Sequence, residues 1–262
     1  MTSTYNNKII FFDIDNTLVD SRTGRVPDSA VKALEMLSAA GYKIGIASGR
    51  LYTALPKMIV KMRRWDVCIT SNGQYIHGSD GKLLNKITIS HEALKQCLAI
   101  ANRTDTPLEV KTETRRYLIN SGNSLVQEVY KFFHVTPPKE ETYEEKEDIV
   151  ALMAFRMRGS TYDDFAAISG ISVYPGICGY ADLNVEGCSK YTGIMQYIKN
   201  AGYDGYIAVG DSMNDYEMLE NADFAVAMGN AEPELLSVAD FKTDRVEQNG
   251  ILQAAEYILS RL

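Results

Sequence analysis

The chain has 262 residues, enough for one large domain or two smaller ones with sizeable cores. A hydrophobic fraction of 45%, a charged fraction of 23% and a net charge of −7 suit a globular protein, and they argue against a nucleic-acid binder, which would carry a basic face. No apolar run is long enough to cross a bilayer and residues 1–8 lack a signal-peptide core, so a cytoplasmic location is expected. The four cysteines, Cys68, Cys97, Cys178 and Cys188, form no C-x-x-C pair, and with three histidines they make no zinc site; Cys68 and Cys97 read as buried, reduced thiols.

In chain order, a strand at 9–12 leads to a helix at 28–40, with Pro27 near its start and Gly41 past its end. A strand at 43–47, a helix at 52–62 and a strand at 67–70 complete a βαβαβ run, which predicts a parallel, doubly wound sheet with right-handed crossovers. Runs at 75–77 and 82–89 flank Gly78-Ser79-Asp80-Gly81, and this turn chemistry predicts a hairpin. Between there and Val185 the order becomes helix 92–103, strands 108–111 and 117–119, helix 124–133, strand 149–155, helix 162–169, and strands 171–174 and 180–185. That order implies an antiparallel α+β insertion at 84–185, splitting an α/β core of 1–83 and 186–262. The acidic stretch 140–148 beside Pro137-Pro138 reads as a solvated connector rather than a metal site. The alternation then resumes: helix 191–201, strand 206–209, helix 215–221, strand 224–227, a short strand at Phe241 and a helix at 252–262.

Four segments carry the chemistry: Asp13-Ile14-Asp15-Asn16-Thr17, Ser48-Gly49-Arg50, Ser189-Lys190 and Gly210-Asp211-Ser212-Met213-Asn214-Asp215. Three of them follow apolar strands, and ligands of open α/β sheets sit outside the carboxyl ends of such strands. Residues two apart on extended chain return to one side, so Asp13 and Asp15 are expected to converge, at a cost unless a cation neutralises them. A hard divalent ion, typically Mg²⁺, suits such oxygen ligands, and a carboxylate can itself attack phosphorus. Helix capping or turn formation is the competing role for the pair, as it is for Asp211 and Asp215. Ser48 beside a glycine turn can hold a phosphate oxygen, though Ser-Gly-Arg alone is an ordinary turn. Lys190 reads either as a surface charge or as a cation that grips a phosphoryl group among carboxylates.

The run Phe12-Asp13-Ile14-Asp15-Asn16-Thr17-Leu18 resembles the first motif of the haloacid dehalogenase-type phosphohydrolases. Ser48-Gly49-Arg50 resembles the second, Lys190 the third, and Gly210 to Asp215 the fourth. Ala227-Met228-Gly229-Asn230-Ala231 and Asn249-Gly250 are similar to the Cof-type branch, whose cap is inserted after the second motif. The resemblance implies a Rossmann-like core and a Mg²⁺-dependent phosphatase that acts on a small phosphorylated metabolite, most plausibly a sugar phosphate, through an aspartyl-phosphate. Asp13 would be nucleophile and metal ligand, and Asp15 the general acid and then base, with its carbonyl on the metal. Asp211 would complete the metal site, with Asp215 a ligand or standing behind it; Ser48, Gly49 and Lys190 would bind the phosphoryl group, and Asn214 would hydrogen-bond it or position Lys190. Two positions depart from the pattern: Asn16 and Tyr191 stand where the family usually has glycine. Arg50 is expected to anchor the motif through an ion pair rather than to touch substrate. The insertion would act as a lid, with specificity residues near Arg115-Arg116 and between Tyr174 and Asp182. A phosphomutase and a catalytically idle binding protein are the alternatives; the oligomeric state is left open.

Overall fold

A computed structural model describes residues 7–62, 64–120, 124–132, 136–138, 147–176 and 178–261. The chain divides into two compact units, one running up to Lys86 and again from Ser189, the other Ile87–Cys188. The first unit opens with β1 (Lys8–Phe12), α1 (Asp28–Ala39), β2 (Lys43–Ala47), α2 (Lys57–Met62), β3 (Val67–Thr70), β4 (Tyr75–Gly78) and β5 (Leu83–Lys86). The second holds α3 (His91–Thr104), β6 (Leu108–Thr112), β7 (Arg116–Ile119), α4 (Ser124–Phe132), β8 (Ile149–Phe155), α5 (Asp163–Ala166), β9 (Ile171–Pro175) and β10 (Tyr180–Val185). The chain returns to the first unit with α6 (Lys190–Ala201), β11 (Gly205–Gly210), α7 (Tyr216–Glu220), β12 (Phe224–Ala227), β13 (Phe241–Lys242) and α8 (Gly250–Arg261).

The first unit is built on one eight-stranded sheet, ordered β13-β12-β11-β1-β2-β3-β4-β5. It is parallel from β13 to β3, and the hairpin β4–β5 adds an antiparallel edge. Because β5 pairs with β4, it stays with this sheet instead of joining the insertion. The central strand β1 explains the two helical layers. Its side chains alternate, so Ile10 and Phe12 pack with α1 and α8 residues such as Leu34, Leu37 and Ile258, while Ile9 and Phe11 pack with Ile194, Ile198 and Met218 from α6 and α7. The four apolar side chains of β1 are fully buried, each contributing about 1.5–3 kcal/mol by transfer from water.

Local chemistry sets the helix ends. Helix α1 buries Ala30, Ala33, Leu34 and Leu37, one stripe at 3.6-residue spacing, and stops where Gly41 takes φ +92°. The helix expected at 52–62 is broken instead: a 3-10 turn at Tyr52–Ala54 ends as Leu55 becomes extended, and α2 starts after Pro56. Proline drives the preceding residue out of helical conformation, which accounts for the break. The helix expected at 162–169 shrinks to the single turn of α5, cut short by Gly170 at φ +85° and by β9.

The second unit is a five-stranded antiparallel sheet, ordered β7-β6-β8-β10-β9. Leu108, Val110, Leu152, Ala154 and Leu183 turn to the face covered by α3 and α5, with Leu94, Cys97 and Phe165. On the opposite face Leu118 and Phe155 pack beneath Val126, Val129 and Tyr130 of α4. The connector expected at 140–148 lies outside the described residues except for its last two. Among the described residues no helix is long and apolar enough to cross a membrane.

Candidate active site

The parallel strands deliver the polar groups to one edge of the sheet. Hydrogen bonding between β1 and β11 runs one residue past the strand, with Asp13 N donating to Val209 O at 3.0 Å, and leaves Asp13 at the carboxyl end, 4% exposed. Asp211 follows β11, and Ser48 follows β2, where its N–H donates to Ile69 O at 2.9 Å. Lys190 is the first residue of α6, a helix started by a capping box in which Ser189 Oγ accepts from Thr192 N and Thr192 Oγ1 accepts from Ser189 N. That cap fixes the first turn, and Lys190 points inward, 1% exposed. Its Nζ donates to Asp13 Oδ1 and to Asp215 Oδ1, both at 2.6 Å. Asp13, Asp211 and Asp215 each bring an oxygen within 4.8 Å of the others.

Asp15 stands apart from this cluster. The strand ends at Phe12, and a turn with Asn16 at φ +57° and a bridge from Asp15 to Val19 redirects the chain, so Asp13 and Asp15 both lie past the extended strand. The Asp15 carboxylate is gripped by Arg50: Nε donates to Oδ2 at 2.8 Å and Nη2 to Oδ1 at 2.7 Å. Arg50 is itself tied to Ala54 O at 3.3 Å. This fork is the ion pair expected of Arg50, and asparagine at 16 supplies the left-handed turn that glycine would.

Asp215 is saturated by donors. Besides Lys190 it accepts at Oδ2 from the backbone N–H groups of Asp211 and Ser212, at 3.0 and 3.1 Å. Gly210 makes this possible, since a Cβ there would stand 2.6 Å from the Asp215 carboxyl carbon. Asn214 is exposed, accepts from Ser212 Oγ at 2.8 Å and donates to Asn72 Oδ1 at 3.2 Å. Three further residues hold the cluster and were absent from the sequence reading of the site. Thr17, fully buried, donates to Asp211 Oδ1 at 3.2 Å, and Asn230 donates to Asp211 Oδ2 at 3.0 Å and to Asn16 O at 3.1 Å. Glu232 N donates to Asp211 O at 2.9 Å. The signal for Thr17 and Asn230 was present, since each lies in a run that carried the family resemblance.

In the second unit, Arg116 turns to the fully buried Glu109 and to Tyr130 on α4, which itself donates to Glu109. Tyr174 is exposed. Lys111 donates to Asp182 at 3.5 Å.

The electrostatics of the cluster follow from its burial. Burial pushes the Asp211 carboxyl up to about 7, helped by the neighbouring Asp215 and opposed by Thr17, Lys190 and Asn230. Burial also raises Asp13, against the pull of Lys190. Burial works against the charge on Lys190, but Asp13 and Asp215 outweigh it and hold its pKa above the ordinary value. Three buried carboxylates thus face one buried ammonium, and a hard divalent cation with oxygen ligands fits the excess negative charge.

A family model described as haloacid dehalogenase-like hydrolase matches residues 10–254. A Streptococcus pyogenes relative, whose name pairs a phosphatase with a peptidyl-prolyl cis-trans isomerase, is 27% identical over 258 residues, and the match covers 95% of this chain but 53% of the relative. Among solved structures, a phosphatase of the same superfamily from Bacteroides thetaiotaomicron, BT1666, superposes with TM-score 0.89 at 27% identity over 98% of this chain and 97% of that one. The subclass IIB sugar phosphatase BT4131 gives 0.79 at 27% identity over 96% and 98%. The chain belongs to the haloacid dehalogenase-like hydrolases, and the three proteins just compared with it carry phosphatase in their names or descriptions.

Proposed function

We propose that the protein is a Mg²⁺-dependent phosphomonoesterase for a small phosphorylated metabolite, working through an aspartyl-phosphate on Asp13. One observation carries this reading: a buried lysine bridges two carboxylates from distant parts of the chain, with a third carboxylate inside the same cluster. Asp13 and Asp211 would hold the ion, which when bound neutralises charge on the phosphoryl group and its nucleophile. Asp215, already accepting from Lys190 and from two backbone N–H groups, serves to orient Lys190 and the Asp211 loop.

A carboxylate oxygen of Asp13 attacks phosphorus as the ester oxygen leaves. Asp15 gives that oxygen a proton; in the second step it takes one from the water that cleaves the acyl phosphate, so phosphate and free enzyme are restored. Lys190, Ser48 and the Gly49 backbone receive the phosphoryl oxygens, and Arg50 holds the Asp15 carboxylate for its second task. The likeness to a sugar phosphatase supports a sugar phosphate as substrate, and the four free cysteines support a reducing, cytoplasmic setting. Hydrolysis of p-nitrophenyl phosphate with Mg²⁺, and its loss in Asp13→Asn with an unchanged melting temperature, is the test. Turnover retained in that variant rejects the nucleophile, and an isomerised sugar phosphate in place of inorganic phosphate rejects hydrolysis in favour of a phosphomutase.

A further inference from the structure

One turn at the same sheet edge has no part in the chemistry above. Ser71, Asn72 and Gly73 follow β3 with φ of +51°, +51° and +93°, three consecutive left-handed residues of which two carry side chains. Thr70 Oγ1 and Ser71 Oγ are buried there with no hydrogen-bond partner among the described residues. A backbone this strained persists only where its surroundings over-determine it, and such places gather at functional sites. Here the anchors are clear. Ser71 N donates to Arg50 O at 2.8 Å and Asn72 N to Ser48 O at 3.1 Å, which binds the turn to the second motif. On its other side Gly73 lies against the start of α6, where a Cβ would come within 2.0 Å of Ser189 O.

The product of this arrangement is the position of the Asn72 carboxamide. Its Oδ1 accepts from Asn214 Nδ2 at 3.2 Å. A Cβ on Gly49 would stand 3.0 Å from Asn72 Oδ1, 3.4 Å from Asn214 Nδ2 and 3.5 Å from Asn72 Nδ2, so the three residues form one half-open surface beside the phosphoryl-binding glycine. The Asn214 carboxamide is engaged at both ends, by Ser212 Oγ and by Asn72. Asn72 Nδ2 donates to none of the described residues, which leaves it the available amide donor on that surface.

We propose that Asn72 is a further phosphate-binding residue: its Nδ2 donates to a non-bridging oxygen of the phosphoryl group held at Gly49, while its Oδ1 fixes Asn214. The proposal rests on the phosphatase reading and deepens it. Two variants separate the amide from the backbone. Asn72→Gly removes the carboxamide and keeps the left-handed turn, and Asn72→Asp keeps the acceptor for Asn214 but puts an acceptor and a charge where the donor was. The measurements are Ki for inorganic phosphate, KM and kcat for p-nitrophenyl phosphate, and Mg²⁺ affinity by calorimetry. A hydrogen bond to a charged oxygen predicts about a tenfold rise in both Ki and KM for Asn72→Gly, and a larger rise for Asn72→Asp, with Mg²⁺ affinity unchanged. Wild-type Ki in Asn72→Asp would reduce the residue to a prop for Asn214 and overturn the proposal. So would an equal loss of Mg²⁺ and phosphate affinity in both variants, which marks collapse of the turn. A wild-type enzyme that neither hydrolyses the ester nor binds phosphate with Mg²⁺ present defeats the phosphatase reading instead.

Discussion

The affinity for Mg²⁺ should depend steeply on pH between 6 and 8, where ordinary carboxylates would give no dependence. The cause is the raised Asp211, pushed up to about 7 by burial and by Asp215, with Asp13 raised beside it. A metal binds the ionised carboxylate, so a proton must leave first. With a pKa near 7, about nine in ten Asp211 side chains are ionised at pH 8 and about one in ten at pH 6, a tenfold loss of affinity or about 1.4 kcal/mol. If Asp13 titrates alongside, the loss approaches a hundredfold, about 2.7 kcal/mol. Stability moves in the complementary sense. A carboxyl raised in the folded state stabilises the protein fully below its unfolded pKa, and that contribution is lost as pH rises through 7. For Asp211 the shift from 3.8 to about 7 corresponds to at most about 4 kcal/mol. Mg²⁺ should therefore raise the melting temperature more at pH 7.5 than at pH 5.5. Calorimetric titration of EDTA-stripped protein at pH 6, 7 and 8, in buffers of different ionisation enthalpy, gives both the affinity and the protons released. Affinity that varies less than threefold across this range, or no proton release at pH 6, would refute the electrostatic account of the cluster.

Two other outcomes follow from single contacts. Asn230→Ala removes the donor to Asp211 Oδ2 and the tie to Asn16 O; calorimetry should show Mg²⁺ bound about tenfold more weakly, since partners that orient a ligating side chain typically carry that much affinity. Gly73→Ala forces a Cβ into Ser189 O at a φ of +93°, so denaturant unfolding should register a loss of at least about 2 kcal/mol, and a variant as stable as the wild type would mean that α6 tolerates a shift.

How much of this was legible in the sequence depends on the range of the interaction. The strands were readable because each parallel strand is buried on both faces, so 9–12, 44–47, 67–69 and 224–227 are unbroken apolar runs that local composition betrays. The same locality made Asp13, Ser48 and Asp211 visible as strand-end groups. It failed where one residue overrides a pattern: the apolar spacing of 52–62 suits a helix, and Pro56 divides it. It was also stretched at Asp15, where the alternation of an extended strand was carried past a strand that had already ended and into a turn whose carboxylate is held by Arg50. Composition could mark some of these residues but not their contacts, which depend on which loops the fold lays side by side. Asn230 reaches Asp211 only because β12 lies next to β11, and Asn72 meets Asn214 across 142 residues of chain because β3 and the β11 loop end at the same edge. Hydrogen-bonding residues in loops leave no periodicity of their own. Chemistry displayed by the strands can be read from composition, whereas the shell that orients it must be read from topology, and here that shell sets the charge, affinity and order of the proposed metal and phosphate sites.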